Sequence, residues 1–233
     1  MSVYMKSVNM LPNKNVEVSH GQILACIADQ LDLTAHQDMK RLEARLKQLR
    51  SKAHIPPPSR QNLGPNARYA FSELWKLAVV FAAVDTSVDT LRAAMIVKLY
   101  WPDIGLGLAN AWTSRESHAG DPILLQIFSG VIDGFTKHDN EADWIEIEAK
   151  KQLTEGPLPL VWVDRMGNFF APGSGGRFPP DTHYRPMVGC VLINLSALIE
   201  KTTSTLIGSG HFKGADLDDY FRSVIAEASP AHS

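Results

Sequence analysis

Residues 54–71 read HIPPPSRQNLGPNARYAF, and the fold turns on how this stretch is understood. Pro56, Pro57 and Pro58 stand together after Ile55 and end any helix that precedes them. Proline lacks an amide hydrogen, and it pushes the residue before it out of the helical region. Gly64-Pro65-Asn66 is a turn signal, with Arg60 on one arm and Arg68 on the other. The stretch closes on Tyr69-Ala70-Phe71, after which a helix capped at Ser72 is expected to run to about Val84. Its buried stripe is Phe71, Leu74, Leu77, Ala78 and Phe81, and Trp75 is read as core or dimer-interface packing rather than a binding residue.

The segment before the prolines carries the clearest periodicity. Met39, Leu42, Leu46, Leu49 and Ala53 recur at spacings of three and four. At 100° per residue they fall in an arc of roughly 80°, which predicts an amphipathic helix over residues 35–52 with Thr34 as its cap. Gln37, Lys40, Arg41, Lys47, Gln48 and Lys52 occupy the opposite side. Amides and cations are the side chains that read base edges and neutralise phosphates. Upstream, Ser19 caps a first helix over 21–31 with Ile23, Leu24, Ile27 and Leu31 on one side, and residues 1–18 read as a flexible lead. Downstream, Val88, Leu91, Met95 and Leu99 predict a fourth helix that stops by Pro102.

Charge is distributed unevenly. The 233 residues carry a net charge of −2, yet residues 35–68 hold eight Lys/Arg against two acids, so this segment carries +6 and the remainder −8. Such asymmetry marks a face for a polyanion on an otherwise acidic protein. Cys26 and Cys190 lie far apart, neither at metal-ligand spacing, and read as reduced thiols. No metal or cofactor is expected. The first residues, MSVYMKSVNMLPNKN, lack a signal peptide's apolar core, and the longest wholly apolar run, Leu77–Val84, is far short of a membrane span. A cytoplasmic protein with no membrane contact is the expectation.

Residues 19–98 resemble the winged helix-turn-helix of the MerR family of transcriptional regulators. The resemblance rests on Leu46–Pro57 (LKQLRSKAHIPP), similar to the end of that family's recognition helix and its proline turn, and on Arg68-Tyr69-Ala70-Phe71-Ser72, similar to the closing strand of the wing. It covers about a third of the chain. Gln48-Leu49 stands where the family has a tyrosine pair, the long dimerisation helix is not evident, and no cysteine set for a metal is present. The resemblance implies a protein that binds double-stranded DNA as a homodimer. The recognition helix would supply Gln37, Lys40, Arg41, Lys47 and Gln48, and the wing Arg60, Asn66, Arg68 and Tyr69.

After Pro102-Asp103-Ile104-Gly105, read as a linker, the composition changes. Four of the five tryptophans lie from Trp101 onward. Ile123–Ile132 is a mostly apolar run bounded by Pro122 and Gly134, and strands are expected at Trp144–Glu148, Leu160–Val163 and Met187–Asn194, with a turn at Arg165–Asn168. A helix from Ser196 presents Leu198, Ile199, Thr202 and Leu206, and a last helix over 215–227 presents Leu217, Tyr220, Phe221 and Ile225. The fold class read from these signals is α+β, mainly α. A winged helix-turn-helix over 19–101 is followed by a small α+β domain over 106–233 that would dimerise or sense a small-molecule or protein effector. Gly173-Ser174-Gly175-Gly176 lacks the Lys-Ser/Thr of a phosphate loop, Ser209 has no positioned base, and Asp216, Asp218 and Asp219 read as a solvated helix start. An enzyme is therefore not the expectation. The alternative to a DNA-binding regulator is a winged-helix interaction or sensor module.

Overall fold

The computed structural model describes residues 17–33, 36–51, 68–117, 120–128, 161–170 and 190–228. In chain order these form β1 (Glu17–Ser19), α1 (His20–Gln30), α2 (His36–Ser51), β2 (Arg68–Ala70), α3 (Phe71–Asp85), α4 (Thr90–Leu99) and α5 (Trp101–Thr113). There follow β3 (Ile123–Phe128), β4 (Val161–Arg165), α6 (Met166–Phe170), β5 (Cys190–Asn194), α7 (Leu195–Gly208) and α8 (Gly214–Ala228). The described residues are mainly helical and form two small antiparallel sheets, in line with the α+β, mainly α expectation.

The first helix begins where its sequence says it should. Ser19 Oγ accepts from the Gln22 amide at 3.2 Å, and Gln22 Oε1 accepts from the Ser19 amide at 2.7 Å. This reciprocal box satisfies two amides that a helix start leaves unpaired, and such a cap contributes about 1 kcal/mol. The residue before it was not legible. Residues 17–18, expected in the flexible lead, belong to β1, which pairs antiparallel with β2: Val18 stands opposite Tyr69 and Ser19 opposite Arg68. At the other end of α1, Asp32 adopts φ +53° and the Leu33 amide returns to Ala28 O at 2.8 Å. Aspartate is among the few side chains that tolerate this left-handed turn. Lys201 of α7 ion-pairs with Asp32 and donates to Gln30 O at 3.4 Å, so a cation closes the carbonyl end of the helix.

Three further readings differ from expectation. The cap of α3 falls on Ala70, with no side-chain hydrogen bond, and Ser72 lies inside the first turn because β2 runs straight into the helix. The supposed linker at 102–105 is the start of α5, where Ile104 and Gly105 are buried. Pro102 sits in the first helical turn, where its missing amide hydrogen costs nothing. The turn expected at Arg165–Asn168 is instead the end of β4 and the single-turn helix α6. The strand expected at Trp144–Glu148 and the loop at Gly173–Gly176 lie outside the described residues.

The larger sheet has the order β4-β3-β5, all antiparallel, with Leu125 opposite both Val163 and Ile193. Helices α5 and α7 pack on it, and α5 comes very close: a Cβ built on Gly107 would meet Val163 Cγ1 at 2.3 Å and Leu195 Cδ1 at 3.1 Å. Helix α7 buries Leu198, Ile199, Thr202 and Leu206, the face its spacing predicts.

Residues on either side of position 101 build one continuous hydrophobic core, from Val18 to Val224. Its aromatic centre draws Phe71 and Trp75 from α3, Trp112 from α5, Phe212 from the loop before α8, and Tyr220 and Phe221 from α8. Trp75 and Phe221 lie 5.2 Å apart between ring centroids, Trp112 and Phe221 5.6 Å, and Phe71 and Tyr220 4.8 Å. Burial pushes the Tyr220 hydroxyl pKa up, and the Glu73 and Glu227 carboxylates push it the same way.

Helix α1 is sandwiched between α3 and α7. Its Cys26 is buried and free, and its Sγ lies 3.9 Å from Thr202 O of α7. Burial, with the Asp29 carboxylate adding to it, pushes the Cys26 pKa up to about 12. The Cys190 side chain lies outside the described residues. In a Cys190→Ser background, Cys26 should react with iodoacetamide at pH 8 at least about a hundredfold more slowly in the native protein than in urea, because only the thiolate attacks. A pKa raised by folding favours the protonated native state, so the Cys26 contribution to stability is complete below the unfolded value near 9 and is lost as pH rises toward 12. Stability measured by urea titration should fall across that window, and fall less in Cys26→Ala.

Candidate nucleic-acid interface

Helix α2 packs on α1 and α4 through Leu42, Leu46 and Leu49, all buried, with Met39 partly covered. That fixes which way its other side points. Lys40, Arg41, Lys47 and Gln48 are exposed, as are Ala44 and Arg45. At 100° per residue Lys47, Lys40, Ala44, Gln48 and Arg41 span an arc of roughly 120° facing away from the leucines. The two acids of the helix fall outside this arc: Glu43 on one flank, Asp38 on the other. Asp38 Oδ1 lies 3.5 Å from Arg41 Nη1, with the arginine side chain 73% exposed. An exposed pair of this kind is worth about 0–1 kcal/mol, so phosphate can displace the carboxylate at small cost. No acidic side chain interrupts the cationic arc among the described residues of α2.

The other site residues do not all join this face. Gln37 lies in the first turn of α2, with its side chain outside the described residues. Arg60 and Asn66 also lie outside them. Arg68 is exposed on β2, beside a cleft of about 450 Å³ that it lines with Glu17, Gln22, His211 and Asp216. Two carboxylates therefore border the cleft from which Arg68 would reach for a phosphate. Tyr69 is a correction. Its side chain is 3% exposed, because alternation along a three-residue strand turns the middle side chain inward, beside Val18. It belongs to the core beneath the ribbon and cannot touch a ligand outside.

The carboxylates near the chain's end have structural uses. Asp218 accepts from Trp112 Nε1 at 2.7 Å and faces Arg115 at 3.6 Å, while Asp216 accepts from the Lys213 amide at 2.9 Å. Ser209 Oγ donates to Leu206 O at 2.6 Å. Among the described residues no group of three or more His, Cys, Asp or Glu is placed to hold a metal ion. No helix among them is long and apolar enough to cross a membrane. Comparison of the chain with protein-family models, with curated proteins and with solved structures gives no significant match.

Proposed function

We propose that this protein is a sequence-specific DNA-binding transcriptional regulator, acting as a homodimer that lays α2 in the major groove. The observation that supports it most is the uninterrupted cationic and amide face of α2, held outward by a fully buried leucine stripe. Lys40, Arg41 and Lys47 take phosphates or base edges, and Gln48, on the same side, and Gln37, in the first turn, read bases. In this proposal the wing of a MerR-like winged helix lies within residues 54–71, with Arg60, Asn66 and Arg68 on the backbone beside the groove.

A duplex selected from a random pool provides the test. With Lys40, Arg41, Lys47, Arg60 and Arg68 each neutralising a phosphate, the slope of log K against log salt should be about −4.5 for one protomer and about −9 for a dimer. Lys40→Ala with Arg41→Ala should weaken binding about 10- to 100-fold at 0.15 M salt and flatten the slope by about 2 per protomer. Both residues are exposed, so the fold should survive. Lys213→Ala with Arg222→Ala removes the same charge from the region of α8 and should leave affinity nearly unchanged. Equal losses in the two double variants, or no enriched duplex, would favour the interaction-module alternative.

A further inference from the structure

We infer that the groove between the α1–α2 turn, α2 and the C-terminal end of α3 is a binding site for an α-amino acid with a large apolar side chain. The groove encloses about 340 Å³. Its floor is apolar: Leu31 and Leu33 from the turn, Leu42 from α2, Phe81 and Val84 from α3. Leu31, Leu33 and Val84 are only half-buried, so their uncovered apolar area faces this space. The rim carries four charges: Asp38, Arg41, Arg45 and Asp85. Asp38 lies 3.5 Å from Arg41, whose side chain turns toward the solvent face of α2. Among the described residues neither Arg45 nor Asp85 makes an ion pair.

One spare cation and one spare anion over an apolar floor select a zwitterion with an apolar body. Arg45 would take the carboxylate, for which a guanidinium offers two parallel donors. Asp85 would take the ammonium. An apolar floor with convergent polar groups at its rim is a form that small-molecule sites take, and the volume here suits a ligand the size of leucine or phenylalanine. The inference concerns the free protein and stands whether or not α2 binds DNA.

The test titrates methyl-labelled protein, without DNA, with L-phenylalanine, L-leucine, 3-phenylpropanoate, phenethylamine and glycine. L-Phenylalanine or L-leucine should shift the methyl resonances of Leu31, Leu33 and Val84 saturably. The two compounds lacking one charge should bind about tenfold or more weakly, and glycine should not bind. Arg45→Gln should weaken L-phenylalanine and 3-phenylpropanoate about tenfold and leave phenethylamine unchanged; Asp85→Asn should do the reverse for the two singly charged compounds. Both positions are exposed, so neither change threatens the fold. The inference is overturned if neither amino acid moves these methyls, if the three phenyl compounds bind alike, or if both variants leave every affinity unchanged.

Discussion

Replacing Phe221 by alanine should destabilise the whole described fold by about 3–5 kcal/mol, the range for emptying an aromatic site in a packed core. Phe221 is 1% exposed, with Trp75 at 5.2 Å on one side and Trp112 at 5.6 Å on another. These neighbours come from α3 and α5, so collapse around the vacancy would have to move two large indoles held by their own helices. The loss is a large part of the roughly 5–15 kcal/mol that a domain has. It should also be felt far along the chain. Cys26 of α1 is a reporter in the opposite half, and in Cys190→Ser protein its alkylation should accelerate when Phe221→Ala is added. Urea unfolding followed by tryptophan fluorescence and by Cys26 reactivity should give coincident transitions. Two separated transitions, with Cys26 protected through the first, would show that the halves unfold independently despite their shared core.

The second large effect is at Gly107. Alanine is the better helix former by about 1 kcal/mol, so Gly107→Ala on an open helix face would stabilise. Here the added methyl would lie 2.3 Å from Val163 Cγ1 and 3.4 Å from Val163 Cβ. A rotamer change can move the first atom but not the second, and Leu195 Cδ1 waits at 3.1 Å. Overpacking of this kind costs about 1–3 kcal/mol, so Gly107→Ala should be net destabilising, and Gly107→Leu should cost at least about 3 kcal/mol. Val163→Ala vacates the space. Gly107→Ala combined with Val163→Ala should therefore recover at least about 1 kcal/mol relative to the sum of the single changes, measured as a double-mutant cycle by urea denaturation. Additive losses would mean that α5 and β4 relax apart without strain.

The same helix explains what the sequence could and could not disclose. Helix α2 was legible because a leucine stripe on one side and cations on the other leave one orientation, and its boundaries, His36–Ser51, fall within a residue of the expected span. Helices α7 and α8 were legible for the same reason. Helix α5 was not, because Pro102, Gly105 and Gly107 look like linker residues in one dimension. In three, the proline occupies a first turn, Gly105 lies against Trp101 and Gly107 against Val163, contacts that no local pattern encodes. Strand β1 was hidden for a related reason: three residues have no period, and what makes them a strand is β2, some fifty residues away. Tyr69 was misplaced because a closing-strand motif names the residue type without saying which side of the ribbon it occupies. Of the candidate site, the cationic face could be read from period and charge, whereas the groove over Phe81 could not, since its walls come from separate helices and a turn.

The enclosure of α1 between α3 and α7 bears on how the protein is made. A ribosome releases Phe71 and Trp75 about 150 residues before Tyr220 and Phe221, their respective aromatic neighbours. At about 5–20 residues per second that is an interval of about 8–30 s. Throughout it, α1 and α3 carry apolar surfaces that only α7 and α8 can cover, while Cys26 waits for Thr202, 176 positions downstream. Helices α1–α4 therefore cannot complete their packing until α7 and α8 have emerged.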